Sequence, residues 1–186
     1  MSSEATLESD ERLRLFIALL LPEPALSALA EWQTRELARV RNARAVPREN
    51  LHVTLAFLGS TAREALAGIA AVVRSTAPRV EPPVLEPVGY RETRSVGMIV
   101  LSDEESRATA LAAGVFEGLE GLGVYERERR EWLPHVTVVR FRQRPRLAPS
   151  LPDLGPVMSS EMAVMMSRLR PSGAQYEVLE SVPLGG

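Results

Sequence analysis

Residues 51–59 read LHVTLAFLG and residues 134–142 read PHVTVVRFR. Between them they hold both histidines of a 186-residue chain, each inside the tripeptide His-Val-Thr. In an extended strand alternate side chains share a face. His52, Thr54 and Ala56 are therefore expected on one face, with Val53, Leu55 and Phe57 on the other. The second copy sets His135, Thr137 and Val139 against Val136, Val138 and Arg140. Each strand then carries an imidazole beside a hydroxyl, backed by an apolar face that can be buried. One such strand would mean little, because a lone histidine beside a threonine is usually structural. Two copies that account for every histidine point to one shared site.

Working outward, Leu13–Leu21 reads as a buried strand closed by Pro22, and Pro24–Val40 as a helix with apolar residues at helical spacing. Asn50–Leu58 is a strand ended by Gly59. Thr61 and Glu64 have the spacing of a capping box, predicting a helix from there to Thr76. Val84–Tyr90 and Val96–Leu101 are strands, and Ser102 or Asp103 caps a helix running through Leu122. The run YERERREW (125–132) is a loop or a strand edge. Pro134–Phe141 is the second His-Val-Thr strand. Glu161–Ser167 and Tyr176–Val182 form a hairpin turned by Pro171 and Gly173. The unit strand–helix–(His-Val-Thr strand) occurs at 13–58 and again at 96–141, as in a diverged duplication. The expected fold is α+β: bilobal and pseudo-twofold, with two antiparallel-type sheets forming a central cleft and helices outside. Residues 1–11 are expected to be a flexible tail, and 12–186 a single bilobal domain.

Composition narrows the chemistry. There is no cysteine, which removes disulfides and thiolate chemistry and suits a reducing cytoplasm. All 22 basic residues are arginine, so no lysine can form a Schiff base or a covalent nucleotidyl intermediate. The net charge of −2 gives no global pull toward nucleic acid. Local clusters do exist, at Arg35, Arg39, Arg41, Arg44 and Arg48, and at Arg140, Arg142, Arg144 and Arg146. Their default reading is solvated surface, the alternative an RNA-guiding rim. The apolar run Leu15–Leu21 is too short to span a bilayer, and its acidic approach and following prolines do not suit a signal peptide.

Two histidines and two threonines in one cleft suit acid–base chemistry at phosphorus. A neutral imidazole can activate a nucleophile while a protonated one donates to the leaving oxygen. The hydroxyls can hydrogen-bond phosphate oxygens, and an arginine can neutralise their charge. Two histidines without cysteine fall short of the usual zinc site, and there is no HExxH, GxSxG, P-loop or GxGxxG motif. No metal or cofactor is expected.

The paired motifs His52-Val53-Thr54-Leu55 and His135-Val136-Thr137-Val138 resemble those of the 2H phosphoesterases. The flanks VPRENLHVTLAFLG and PHVTVVRFR, the opening RLFIALLLP and the closing SRLRPSGAQYEVLESVPL are similar to those of the bacterial and archaeal RNA 2′,3′-cyclic phosphodiesterases, historically called 2′-5′ RNA ligases. The resemblance covers about residues 13–184. It implies metal-independent opening of a ribose 2′,3′-cyclic phosphate to a 2′-phosphomonoester, with ATP-independent 2′-5′ ligation as its reverse. Its substrates would be RNA ends or nucleotides bearing that group, acted on by a monomer. His52 and His135 would be the acid–base pair, with a leaning to His135 as base and His52 as acid. Thr54, Thr137 and Arg140 would bind phosphate, and Phe16 would help line a base pocket. Strand parity puts Arg140 on the face opposite His135, so a bulge, twist or strand end is expected there. Ala56 stands where many relatives carry lysine, and it is expected to face the cleft. A non-catalytic module that only grips RNA-end phosphate is the reading from another class.

Overall fold

The computed structural model describes residues 11–171 and 173–185. The elements in chain order are β1 (Arg12–Leu20), α1 (Glu23–Leu37), β2 (Ala43–Ala45), β3 (His52–Ala62), α2 (Leu66–Thr76), β4 (Val84–Glu92), β5 (Val96–Ser102), α3 (Arg107–Gly121), β6 (His135–Phe141), β7 (Val157–Met158), β8 (Glu161–Arg170) and β9 (Gly173–Pro183). The tail expected at residues 1–11 lies outside the described residues, save Glu11, which pairs with Arg63.

Every strand pairing is antiparallel, and the order across the sheet is β7-β4-β5-β6-β3-β1-β8-β9, with β2 on β6. The two His-Val-Thr strands are therefore the central pair. On either side the order is mirrored: β3 is flanked by β1, which precedes it by one helix, and β6 by β5, which also precedes it by one helix. The two expected sheets are the halves of this curled sheet, joined through one register pair, Val53↔Val136.

The helices are exchanged between the halves. α1 follows β1 but packs on β2 and β6, whereas α3 follows β5 and packs on β3 beside α2. Gln33 on α1 donates to the carbonyls of Val46 and Val138 at 2.9 and 2.7 Å. On the other side α2 and α3 approach closely at Gly118, where an added Cβ would lie 2.6 Å from a Val72 methyl. This exchange ties each half to the other through buried apolar side chains as well as through the central strands.

Two helix starts differ in detail from the sequence pattern. Thr61 does not cap α2. It stays in β3, paired with Leu13, and its Oγ1 donates to the Gly59 carbonyl at 3.3 Å. The strand runs on because Gly59 accepts φ +68°, which carries the chain through a bulge instead of ending it. A 3₁₀ turn at Arg63–Ala65 then leads into α2 with no side-chain cap. Asp103 does cap α3, from four residues upstream of its start: its carboxylate accepts the N–H groups of Ala108 and Thr109 at 3.1 and 2.7 Å. Residues 125–132 form a loop, not a strand edge.

Candidate active site

The cleft is shaped by two equivalent bulges. In β1–β3, Ala18 pairs with Thr54 and Ile17 with Ala56, leaving Leu55 unopposed. In β5–β6, Met98 pairs with Thr137 and Gly97 with Val139, leaving Val138 unopposed. Each bulge falls immediately after the threonine and resets the side-chain alternation. Leu55 and Ala56 are both buried (2% and 1% exposed), as are Val138 and Val139 (both 0%). The next residue of each strand, Phe57 and Arg140, is returned to the cleft face.

The bulge anticipated near Arg140 is thus present. Its counterpart in β3 corrects two sequence expectations: Ala56 faces the core, and Phe57, expected in the core, stands in the cleft half exposed. No lysine at position 56 could reach substrate without leaving the core.

Both imidazoles are held alike. His52 Nδ1 lies 2.8 Å from the Asn50 carbonyl, and His135 Nδ1 lies 2.8 Å from the Leu133 carbonyl, each two residues upstream. A carbonyl can only accept, so each Nδ1 carries a proton and Nε2 is left for chemistry. Along the Val53↔Val136 register, His52 stands across from Thr137 and Thr54 across from His135. The Thr54 hydroxyl is 3.0 Å from His52 Nε2.

The surroundings of the two rings differ. Phe16, Ala18, Ala163 and Met165 form a small apolar cluster on the cleft side of β1 and β8, apart from the main core. The His52 ring rests on it, 4.9 Å from the Phe16 ring and 5.4 Å from Tyr176. Burial pushes the His52 pKa down from 6.5 to about 4; the hydrogen bond to Asn50 opposes this, and the charges of His135 and Arg140 add to it. Free of ligand, His52 is a neutral base.

A cavity of about 330 Å³ is walled by His52, Thr54, Thr137, Arg140, Phe57 and Tyr176, among others. His135 is not among the residues lining it; the β3–β6 register sets His135 across from Thr54, and its charge acts on His52. Phe16 lines the same cavity but is only 2% exposed, between His52 and Tyr176 (4.9 Å). It supports the histidine and offers little face to a base. The more exposed aromatic ring is Phe57, one face of which Arg14 covers at 4.9 Å. Sequence reasoning singles out neither Phe57 nor Tyr176; the equivalence of Phe57 with Arg140 across the two motifs is the available signal. A larger cavity, about 840 Å³, lies where α2 meets β8 and β9 and touches neither histidine. Among the described residues no three His, Asp or Glu side chains gather to hold a metal ion. Nor, among them, is any helix long and apolar enough to cross a membrane.

The second arginine cluster is divided. Arg140 points into the cleft, but Arg144 is drawn away by Glu92, whose side chain is only 2% exposed. That carboxylate also accepts from the Arg146 and Leu147 N–H groups at 3.0 and 2.8 Å, and from the Tyr90 hydroxyl. Glu92 is therefore a clamp on the segment after β6, and Arg144 is one of the groups it holds.

The fold and the paired His-Thr strands define a two-histidine phosphoesterase. The chain belongs to the 2′-5′ RNA ligase superfamily, whose family model matches residues 21–165. A Thermus thermophilus protein named RNA 2′,3′-cyclic phosphodiesterase is 34% identical, over 94% of this chain and 91% of its own. One of the same name from Archaeoglobus fulgidus is 31% identical, over 86% of this chain and 91% of its own. A solved structure from Thermus thermophilus superposes with a TM-score of 0.81 at 30% identity, covering 94% of this chain and 99% of that one. E. coli LigT complexed with 3′-AMP shares the fold, with a TM-score of 0.76 at 21% identity over 95% and 100% of the two chains.

Proposed function

We propose that this protein hydrolyses the 2′,3′-cyclic phosphate of RNA ends or nucleotides to a 2′-phosphomonoester, using its two histidines as acid and base without a metal ion. The observation that carries the proposal is the pair of equivalent imidazoles, each fixed through Nδ1, beside the hydroxyls of Thr54 and Thr137 and the guanidinium of Arg140. The names of the relatives support the same substrate class.

In the step, one Nε2 accepts a proton from water as the water oxygen bonds to phosphorus. The bond from phosphorus to O3′ breaks, and the other Nε2–H donates to O3′. Thr54, Thr137 and Arg140 hold the non-bridging oxygens, where charge accumulates. A base stacks on Phe57. A 5′-hydroxyl in place of water would give a 2′-5′ linkage without ATP. Both motifs come from one chain, so a monomer suffices, and a cytoplasmic enzyme fits the absence of cysteine. His52 enters neutral and can serve as base directly; as acid it needs the bound phosphate anion to restore its proton.

The test is hydrolysis of 2′,3′-cyclic nucleotides with and without EDTA, with the product isomer identified. Folded His52→Ala and His135→Ala variants are each expected to lose about 10²–10⁴-fold. Near-normal turnover by either variant, a 3′-phosphate product, or loss of activity in EDTA sinks the proposal. Retention of cyclic-phosphate RNA without turnover favours the binding module instead. A substrate with sulfur at the 3′ bridging position, which leaves without a proton, assigns the roles: the histidine whose variant it rescues is the acid.

A further inference from the structure

Arg44 is the residue left without a task. It sits in the middle of β2, directly opposite Arg140 on β6, so both guanidinium-bearing side chains project from the same sheet face. Like charges directly opposed destabilise a sheet unless something between them compensates. Among the described residues neither arginine is ion-paired with a carboxylate. Arg44 is exposed, yet it has one close neighbour. Its guanidinium lies against Gly173 at the start of β9, where an added Cβ would meet Nη1 and Nη2 at 3.1 and 3.2 Å. A residue of one half of the molecule thus reaches the hairpin tip of the other half.

Beneath this contact is a second cavity of about 590 Å³. Its wall includes Arg44, Arg168 and Arg170, together with Asn50, Ala174 and Tyr176. The last three also line the cavity holding His52, so the two spaces share a wall. That wall is held by the Asn50 side chain, which donates to the Ala174 carbonyl at 2.8 Å. Two carboxylates line the second cavity as well. Glu177 is occupied by Arg168 at 3.2 Å, which leaves Arg44 and Arg170 against Glu49. Arg44 and Arg140 therefore stand side by side in register while each serves a different, adjoining cavity.

We infer that the Arg44 cavity is a subsite for the internucleotide phosphate preceding the cyclic end, so that the favoured substrate is an oligonucleotide end and not a mononucleotide. This rests on the cyclic phosphodiesterase reading above. With the cyclic phosphate at the histidines and Arg140, the next phosphate of the strand compensates the opposed guanidinium. Asn50, Gln175 and Tyr176 also line the cavity, but the charge on Arg44 answers to a phosphate whatever base it carries, so this contact selects strand length and not sequence.

The experiment compares a dinucleotide with a mononucleotide, both ending in 2′,3′-cyclic phosphate, in the wild-type protein, R44Q and R35Q. Arg35 lies on α1 beside Glu36, and its replacement removes the same charge at a distance. The wild type is expected to favour the dinucleotide in kcat/KM. In R44Q that preference falls about tenfold, as expected for one charge-assisted contact, and R35Q keeps it. The wild-type preference weakens with added salt, and this salt slope is shallower in R44Q by about 0.7, one phosphate contact on a single strand. A ratio in R44Q within about twofold of wild type, or an equal fall in R35Q, overturns the inference. Calorimetric affinities for the dinucleotide 2′-phosphate and for 2′-AMP separate the two readings. If neither cyclic substrate turns over, the phosphodiesterase reading fails. An Arg44-dependent affinity ratio then still upholds the subsite, and an unchanged ratio ends it.

Discussion

His52 is the residue on which the structure makes its most quantitative statement. Its folded pKa of about 4 lies well below the 6.5 of an exposed imidazole, because the ring is seated on the Phe16–Met165 cluster and faces the charges of His135 and Arg140. The unfolded chain binds the proton more readily than the native protein does. Stability is therefore greatest above pH 6.5 and is lost as pH falls from there toward 4. Between about pH 7.5 and pH 4.5 the linkage relation gives a loss of about 2.5 kcal/mol from this one group. The assay is urea unfolding of the wild-type protein and His52→Gln across that range, reading the difference between them so that all other titrations cancel. The wild-type advantage is expected to shrink by about 2.5 kcal/mol toward acid. With only two histidines in the chain, the imidazole Hε1 signals report the same quantity directly by NMR. A His52 signal titrating near 6.5, with an unfolding difference flat to about 0.5 kcal/mol, refutes the reasoning that burial keeps this ring neutral.

Two further substitutions probe the architecture around the site. Ala56→Lys, which flat strand alternation would send into the cleft, is expected to destabilise the fold by about 3 kcal/mol or more, because the bulge at Leu55 sends it into the core; thermal unfolding reads this, and an unperturbed midpoint would mean the bulge is absent. Glu92→Gln keeps the shape but removes the charge that Arg144 and two backbone N–H groups converge on. It is expected to cost about 2 kcal/mol in denaturant unfolding and to raise hydrogen exchange at Leu147, where no change in protection would show that Glu92 is not the clamp.

Much of the fold is legible locally, for identifiable reasons. β1, β5 and β6 are short, densely apolar runs bounded by prolines, glycines or polar clusters, and their limits agree with the structure to within about two residues. The duplication is legible because the same tripeptide recurs after the same strand–helix unit. The start of α2 escapes a local reading because Thr61 and Glu64 have cap spacing, yet the pairing of Thr61 with Leu13 keeps that backbone in the sheet. A cross-strand ladder outweighs a local cap, and nothing within a few residues of Thr61 announces the ladder.

The division at the site follows the same line. His52, Thr54, His135 and Thr137 stand out in the sequence because repetition of a scarce residue is a property of the chain alone. That the motifs lie on antiparallel neighbours, joined at Val53↔Val136, depends on how two distant segments pair. So does the bulge in β3. A bulge is one residue too many on one strand relative to its partner, and the partner β1 lies over thirty residues away in the chain. Only that mismatch decides that Phe57 and not Ala56 lines the cleft. The unequal setting of the two histidines has the same origin. By sequence they are near copies, whereas the apolar floor under His52 is assembled from β1 and β8, at opposite ends of the chain. The groups suited to the chemistry can thus be picked from the chain as a string of residues. Which way they face, and which of them is dry, belongs to the folded molecule, because register and desolvation are set between segments and not within them.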